Sequence, residues 1–215
     1  MKKTLAASLL LGATLVPTLQ GCIPLVAAGA TQATLSTVDR RSLGTQTEDE
    51  TIEWKAAGNV SEKAGAQSHT NFTSYNRKVL ITGEVPSEAN KAAIERLVIA
   101  IPQVKGVYNE LSVAPATSLT VRSNDSYITT KVKARLVDSG RVSAAHVKVV
   151  TENGVVYLLG LLTQREAEAA IQVARTTTDV KKVVTLFEII TDAEAKALQV
   201  KLESQPAKPD SVTGG

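Results

Sequence analysis

The sequence predicts an α+β protein made of two tandem copies of one small unit, and three observations carry this prediction. Residues 76–85 and 153–162 align at an offset of 77 positions, with their asparagines and glycines coinciding. Both segments are rich in the aliphatic and β-branched residues that favour strands. An alanine-rich stretch with helical spacing follows each of them. We therefore expect each copy to form helix, strand, strand, helix, strand: a three-stranded sheet covered by two helices.

An opening helix begins each copy. In the second copy Ser126 can cap the helix, because a serine hydroxyl accepts a hydrogen bond from a free backbone N–H of the first turn. In the first copy Gly58 interrupts the pattern, and glycine costs about 1 kcal/mol relative to alanine inside a helix. The first helix should therefore be weaker. The residues predicted to face the core are Ile52, Ala56 and Val60 in the first copy and Ile128, Val132 and Leu136 in the second.

A β-hairpin and a second helix follow the opening helix. The turn at residues 152–154 contains Asn-Gly between two apolar runs, which is a strong hairpin signal. Thr163 and Glu166 have the spacing of a capping box, in which a hydroxyl and a carboxylate satisfy each other's backbone N–H groups. Closing strands over residues 107–113 and 183–190 then complete the two sheets.

The N-terminus has the layout of a cleaved export signal. Two lysines form a positive start, and an apolar run over residues 5–16 follows. This run is shorter than the roughly 20 apolar residues of a transmembrane helix. The sequence Leu-Gln-Gly-Cys at residues 19–22 resembles a lipobox, where bacterial lipoproteins are cut and then acylated on cysteine. We predict a signal peptide over residues 1–21 and covalent lipid on Cys22. The alternative is an ordinary signal peptide beside an unpaired cysteine.

The charge and cysteine content of the remaining chain argue against nucleic-acid-binding proteins and exclude disulfide-linked folds. The 24 basic residues less the two signal lysines leave 22, against 21 acidic residues, so nucleic acid is not an expected partner. Cys22 is the only cysteine, so no disulfide can form within the chain. The predicted organisation is a tether over residues 22–46, units at 47–115 and 119–191, a C-terminal helix at 192–205 with Ala193, Ala197 and Val200 facing inward, and a disordered tail at 206–215.

The two units resemble BON domains. Each has a hairpin ending in glycine, an alanine-rich helix and a closing strand entered through Val-Lys-x-Val, at residues 104–107 and 180–183. With the lipobox and the segment Asp39–Gln46, the chain resembles the dual BON-domain outer-membrane lipoproteins of the DolP type. Ile23, where an aspartate would retain a lipoprotein in the inner membrane, resembles the outer-membrane sorting pattern.

This resemblance implies a location and a ligand. It implies a lipid anchor in the outer membrane, domains that face the periplasm, and a role in envelope integrity. It also implies binding of anionic phospholipids, of which phosphatidylglycerol and cardiolipin are the abundant candidates. The alternative is a tethered adaptor that recruits an envelope enzyme or assembly machine through the acidic first unit or the groove between the units.

The sequence offers little for catalysis. It contains no phosphate-binding glycine loop, nucleophile elbow or metal-ligand motif, so we predict a non-enzymatic protein with no catalytic residue, no metal and no cofactor. His69 and His146 occupy equivalent repeat positions and are interpreted as structural or surface residues. A metal or acid–base site would require them to meet carboxylates between the two units.

Charge distribution selects the second unit as the membrane-binding candidate. Residues 45–115 contain seven basic and nine acidic residues, whereas residues 119–191 contain ten basic and seven acidic ones. Each basic residue near an anionic bilayer contributes about 1 kcal/mol of attraction. The predicted lipid-binding residues lie on the second opening helix, and the alternative is that they form an ordinary solvated face. They are Tyr127, Ile128, Lys131, Lys133 and Arg135.

Two further positions allow alternative interpretations. Trp54, the only tryptophan, is expected in the core, with contact to a partner as the alternative. Leu161 and Leu162 are expected to pack beneath the next helix, and an exposed pair would instead be an anchor for lipid or protein.

Overall fold

The computed structural model describes residues 39–64 and 68–203, with only the backbone at residues 62–64 and 203. The predicted signal peptide, Cys22 and the predicted tail at 206–215 lie outside these residues. The predicted α+β fold with two tandem units is confirmed. The elements are α1 (Leu43–Ala64), β1 (His69–Tyr75), β2 (Lys78–Val85), α2 (Glu88–Ile99), β3 (Gly106–Asn109), β4 (Ser112–Val113), α3 (Leu119–Ser139), a 3₁₀ turn (Ala144–His146), β5 (Lys148–Glu152), β6 (Val155–Leu162), α4 (Gln164–Arg175), β7 (Lys182–Ile189) and α5 (Asp192–Glu203).

Both sheets have the same topology. In the first domain β1 pairs with β2 in antiparallel fashion, and β3 and β4 pair with β2 in parallel. In the second domain β5 and β6 form the antiparallel hairpin, and β7 runs parallel to β6 over eight residue pairs. The closing strand predicted at 107–113 is interrupted at Glu110 and Leu111, because Leu111 turns its side chain into the core. In both domains the helix that follows the hairpin, α2 or α4, thus returns the chain to the far side of the central strand, β2 or β6.

Three helix predictions need correction. Helix α3 begins at Leu119, and its N-cap is Ser118, whose hydroxyl accepts from the Val121 N–H. Ser126 lies about two turns inside the helix. Helix α1 begins at Leu43, within the predicted tether at 22–46. In α5 it is Ala195 that is buried, whereas the three residues predicted to face inward, Ala193, Ala197 and Val200, are exposed.

Equivalent glycines permit a close approach in the two hairpins. A Cβ on Gly160 would lie 2.6 Å from the carbonyl oxygen of His146. A Cβ on Gly83 would collide with the carbonyl oxygen of His69, and the φ of Gly83 is +116°. Only glycine avoids both the contact and the backbone strain. The repeat therefore keeps glycine at this position for a steric reason.

Each domain has its own core between its helices and its sheet. In the first domain the predicted residues Ile52, Ala56 and Val60 of α1 are buried in that core. Trp54 lies on the opposite face of α1 and is 84% exposed, so its predicted place in the core is wrong. The reason is helical period, since a residue two positions from the buried stripe is rotated about 200° away from it.

A third core joins the two sheets to each other. Tyr75 and Leu80 of the first domain pack with Tyr157 and Leu159 of the second. These side chains alternate along the strands with those that face the helices, so each sheet is buried on both faces. Partly buried residues that complete the shared core are Tyr108, Val150, Val155, Leu161, Val184 and Leu186.

The shared core explains the two leucines after the second hairpin. Leu162 is fully buried in the second-domain core with α4, while Leu161 packs on the shared core from the other face of β6. Neither is an exposed anchor. The helices of both domains lie on the outer faces of the paired sheets, which leaves α3 and α1 with one face toward solvent.

Candidate functional site

Helix α3 contains the five residues predicted to bind lipid, and its packing divides them. Ile128 is fully buried with Val132 and Leu136 in the second-domain core. The three residues recur at intervals of four and form one stripe along the helix. Ile128 therefore lies away from any surface that a lipid could touch, which corrects its place among the predicted binding residues.

The face of α3 opposite this stripe is exposed and uncharged. Tyr127 is 60% exposed, and the apolar side chains of Leu119 and Val137 are also exposed. At about 100° per residue, these three positions fall within about 80° of one another around the helix. Small residues occupy the positions between them. We call this face the outer strip, and it consists of Leu119, Ser123, Ser126, Tyr127, Thr130, Ala134 and Val137.

Hydroxyl groups in the outer strip are partly used within the helix. Ser126 Oγ donates to the carbonyl oxygen of Arg122 at 3.1 Å, and Thr130 Oγ1 donates to the carbonyl oxygen of Ser126 at 3.0 Å. Such hydrogen bonds to the preceding turn occupy the hydroxyl proton. The strip therefore presents less polarity to its surroundings than its serine and threonine content indicates.

Lys131 borders the outer strip and is brought together with Tyr127. Its ammonium nitrogen lies 4.8 Å from the centroid of the Tyr127 ring, a cation–π distance. The same nitrogen forms an ion pair with Asp179 and donates to the carbonyl oxygen of Thr178 at 2.9 Å. The structure thus confines Lys131 between the tyrosine and the loop that follows α4.

The other two predicted cations have different surroundings. Arg135 donates to the hydroxyl oxygens of Thr177 and Thr176 at 2.9 and 3.0 Å, at the C-terminal end of α4. A cation there also interacts favourably with the helix dipole. Lys133 is exposed on the far edge of the outer strip and forms no ion pair within the described part of the chain. Among the five predicted residues, Tyr127 and Lys131 are brought together by this cation–π contact.

Leu119 and Val137 were missed from the sequence. Leu119 was missed because the helix was expected to start at Ser126, and Ser118 was the available signal for the earlier start. Val137 follows the last residue of the core stripe, Leu136, and was not placed on a face. Extending the helical period over the whole of α3 would have grouped both with Tyr127.

A buried carboxylate holds α3 against its own hairpin. Asp125 accepts hydrogen bonds from the backbone N–H groups of Asn153 and Gly154 at 2.9 and 2.8 Å. In the first domain Asp49 of α1 accepts from the turn residues 76–77 at 2.8 and 2.7 Å. The two aspartates are equivalent repeat positions. The hairpin turn is therefore fixed to the opening helix in each domain. In the second domain these hydrogen bonds hold α3, which carries the outer strip, in place against its hairpin.

The segment before α1 docks on both domains. Arg40 is buried and donates to the two carboxylate oxygens of Glu166 at 2.7 and 2.8 Å, and to the carbonyl oxygen of Leu161 at 2.8 Å. The guanidinium of Arg41 lies 4.0 Å from the centroid of the Tyr75 ring in the first domain. The last residues of the predicted tether are thus part of the fold.

Among the residues that the structure describes, one group of side chains could hold a metal ion. The side-chain ligand atoms of His69, Glu84 and Glu152 lie within 4.8 Å of one another between the two domains. His69, interpreted from the sequence as a structural or surface residue, is partly buried at this place. Over residues 39–64 and 68–203, no helix is both long enough and apolar enough to cross a membrane.

Comparison with known proteins identifies the two domains. The BON domain family matches residues 49–115 and 124–191. Outer membrane lipoprotein DolP of Haemophilus influenzae is 42% identical over 185 residues, which cover 85% of this chain and 95% of that protein. The 21 kDa hemolysin of Actinobacillus pleuropneumoniae is 37% identical over 155 residues, which cover 71% of this chain and 80% of that protein. None of these names is that of an enzyme.

A solved structure of CdsD, a structural protein of the type III secretion system of Chlamydia trachomatis, aligns with 72% of this chain and 98% of its own. Its identity of 14% and TM-score of 0.28 are too low to support an argument. The two BON-domain matches and the 42% identity to DolP over most of the chain are sufficient to assign the family. This chain belongs to the BON-domain family of non-enzymatic envelope proteins and is a dual BON-domain outer-membrane lipoprotein of the DolP type.

Proposed function

We propose that this lipoprotein is anchored by lipid on Cys22, faces the periplasm, and binds anionic phospholipid through the outer strip of α3, in support of envelope integrity. The observation that carries this proposal is the alignment of Leu119, Tyr127 and Val137 on one exposed, uncharged helix face. A soluble helix usually presents charged residues on its solvent face. An exposed apolar strip bordered by lysines is typical of helices that lie at a membrane interface.

Tyr127 and Lys131 supply complementary contacts with a bilayer. A tyrosine ring is amphipathic and favours the headgroup region, where its apolar body meets acyl chains and its hydroxyl meets water. The ammonium of Lys131 lies 4.8 Å from the centre of that ring, so both groups would enter the same layer. A lysine there can interact with the phosphate of phosphatidylglycerol or cardiolipin.

The ion pair of Lys131 limits how much this lysine can contribute to lipid binding. Asp179 neutralises this lysine in the free protein, and its side chain is exposed. A lipid phosphate must compete with this carboxylate, whereas Lys133 needs to release no partner among the described residues. Lys133 should therefore supply more of the long-range attraction, and Tyr127 more of the short-range insertion.

The test is flotation of the signal-free chain with Cys22→Ser, which cannot be acylated, on phosphatidylcholine vesicles with and without phosphatidylglycerol. Tyr127→Ala should weaken binding at all salt concentrations. The double change Lys131→Ala and Lys133→Ala should weaken binding chiefly at low salt, because the Debye length falls from about 10 Å at 0.1 M to about 3 Å at 1 M. These changes lie off the buried stripe of α3, so folding should be retained.

The matched control is Trp54→Ala, which removes an exposed aromatic side chain from the opening helix of the other domain. It should leave vesicle binding unchanged. Undiminished binding by the folded triple variant at Tyr127, Lys131 and Lys133 would contradict the proposed surface. Absence of binding by the unaltered chain would contradict lipid recognition altogether.

Trp54 favours a second candidate function, that of a protein adaptor. It is a large exposed side chain, and it borders a groove of about 470 Å³ lined also by Glu53, Ala57 and Phe72. Tryptophan is enriched in the residues that dominate binding energy at protein interfaces. A photo-crosslinking residue at position 54 in cells should then capture one discrete envelope protein, while the same residue at exposed Ile99 of α2 should not. Equal labelling at both positions would contradict this candidate.

A further inference from the structure

Three side chains that are distant in sequence meet where the two domains join. His69 begins β1, and Glu84 lies directly opposite it on β2 in the antiparallel register. Glu152 ends β5 and comes from the second domain. The ligand atoms of the three residues lie within 4.8 Å of one another, and His69 Nδ1 is 3.3 Å from a carboxylate oxygen of Glu84.

The two carboxylates are buried. Glu84 is 4% exposed and Glu152 is 8% exposed. Glu84 Oε2 accepts from the backbone N–H and hydroxyl of Thr117 at 3.1 and 3.3 Å, and Glu152 Oε2 accepts from Asn71 Nδ2 at 2.9 Å. These donors are neutral, so they orient the carboxylates without compensating their charge. Buried carboxylates normally require a cation or a proton.

His69 has an unused nitrogen at this place. Its Nδ1 atom is buried and has no hydrogen-bond partner among the described residues, although it faces Glu84. A buried imidazole nitrogen without a partner is uncommon in proteins. Arg122, which lines the same cleft, directs its guanidinium to the carbonyl oxygen of Thr117 at 2.8 Å. The carboxylates thus keep an excess of negative charge next to a nitrogen that can act as a ligand.

We propose that His69, Glu84 and Glu152 form a Zn²⁺ site that links the two BON domains, a role separate from the proposed lipid binding. Imidazole nitrogen and carboxylate oxygen are both common zinc ligands, with bonds of about 2.0–2.2 Å. His69 and Glu152 help to line a cleft of about 530 Å³, so water can fill a fourth position. Mg²⁺ prefers six oxygen ligands and should bind poorly where imidazole is required.

The ligands also carry the supporting contacts that metal sites need. Thr117 orients Glu84 and Asn71 orients Glu152. Such outer contacts hold first ligands in position and typically change metal affinity 10–100-fold. Because two ligands belong to the first domain and one to the second, a bound ion would hold β1 and β2 against β5. Zinc should therefore stabilise the pairing of the domains.

The experiment is calorimetric titration of the intact lipoprotein, in non-ionic detergent, with Zn²⁺ and separately with Mg²⁺. The expected result is one Zn²⁺ per chain, and a zinc-dependent rise in the thermal unfolding midpoint that Mg²⁺ at the same concentration does not produce. Glu152→Gln and Glu84→Gln should each weaken zinc binding at least about tenfold. Glutamine keeps a carbonyl oxygen that can accept the hydrogen bonds described above, so folding should be retained.

The matched control is Glu188→Gln. Glu188 also crosses between the domains, through Asn76 at 3.0 Å and Lys78 at 3.5 Å, but lies outside the cluster. Its variant should keep zinc affinity. A second measurement needs no variant: Zn²⁺ should shift the imidazole NMR signals of His69 and leave those of His146 in place. The proposal is overturned if no zinc binds, if the glutamine variants bind as tightly as the control, or if His146 is the histidine that responds.

Discussion

Arg40 and Glu166, which are 126 positions apart, form two parallel hydrogen bonds at 2.7 and 2.8 Å. The same carboxylate accepts from the backbone N–H of Thr163 at 2.9 Å and closes the capping box that begins α4. One side chain therefore serves both the start of a second-domain helix and the attachment of the N-terminal segment. Planar bidentate pairs of this kind combine strength with fixed geometry.

Replacement of Arg40 by alanine should lower the free energy of unfolding by about 3 kcal/mol, since it leaves the largely buried carboxylate of Glu166 without this cation. Urea unfolding followed by circular dichroism measures this change. The control is Arg141→Ala, because Arg141 is exposed and its substitution should alter stability by no more than about 0.5 kcal/mol. Equal effects of the two substitutions would show that the ion pair contributes nothing specific.

The stability of the protein should fall in acid partly through Glu166. Burial opposes ionisation of this carboxyl, but His146, Arg40 and the N–H of Thr163 outweigh burial and lower its pKa well below the ordinary 4.5. A folded-state pKa below the unfolded one means that the contribution is complete above about pH 4.5 and is lost as the pH falls through the acid range. The stability difference between the unaltered protein and Glu166→Gln should therefore be large at pH 7 and smaller at pH 3. A difference that stays constant between these pH values would contradict this assignment.

Release of Lys131 should strengthen lipid binding. Asp179→Asn removes the carboxylate that neutralises Lys131 and adds one unit of positive charge beside the outer strip. At about 1 kcal/mol per charge, binding of phosphatidylglycerol vesicles should increase roughly fivefold at low salt, and the gain should fade at high salt. Asp192→Asn, a change of equal charge at the start of α5, is the control. If both variants gain equally, net charge rather than release of Lys131 is responsible.

Two glycine-to-alanine substitutions should have opposite signs. Gly160→Ala places a methyl group 2.6 Å from the carbonyl oxygen of His146, so stability should decrease by about 1–3 kcal/mol. Gly58 lies inside α1 with open space around its missing Cβ, so Gly58→Ala should increase stability by about 1 kcal/mol. Thermal unfolding of both variants checks the pair. Destabilisation by Gly58→Ala would show that α1 requires glycine for a reason other than space.

Features that depend on a few neighbouring residues were predictable from the sequence. The capping box of Thr163 and Glu166 and the hairpin turn at Asn153 and Gly154 were both predicted and are both present. Their hydrogen bonds close over two to four residues, so residue type and spacing are sufficient. Trp54 belongs to the same class, because a helical projection of α1 places it outside the buried stripe, although it was assigned to the core.

The pairing of the two sheets was not predictable in this way, even though one sign of it was present. The apolar run Val155–Leu162 has no polar residue on alternate positions, which is typical of a strand that is buried on both faces. That pattern indicates a second covering layer without saying what supplies it. The repeat offset relates equivalent positions of the two domains, and it carries no information about how one domain lies against the other.

By itself the sequence determined the two repeated units, the order of their helices and strands, and the charge difference between them, because each depends on local order along the chain. Only the tertiary structure decided that Arg40 would meet Glu166 and that His69 and Glu84 would meet Glu152. Those encounters join residues far apart in sequence. They depend on the shared core between the sheets, whose packing is set by side-chain shape over both domains at once.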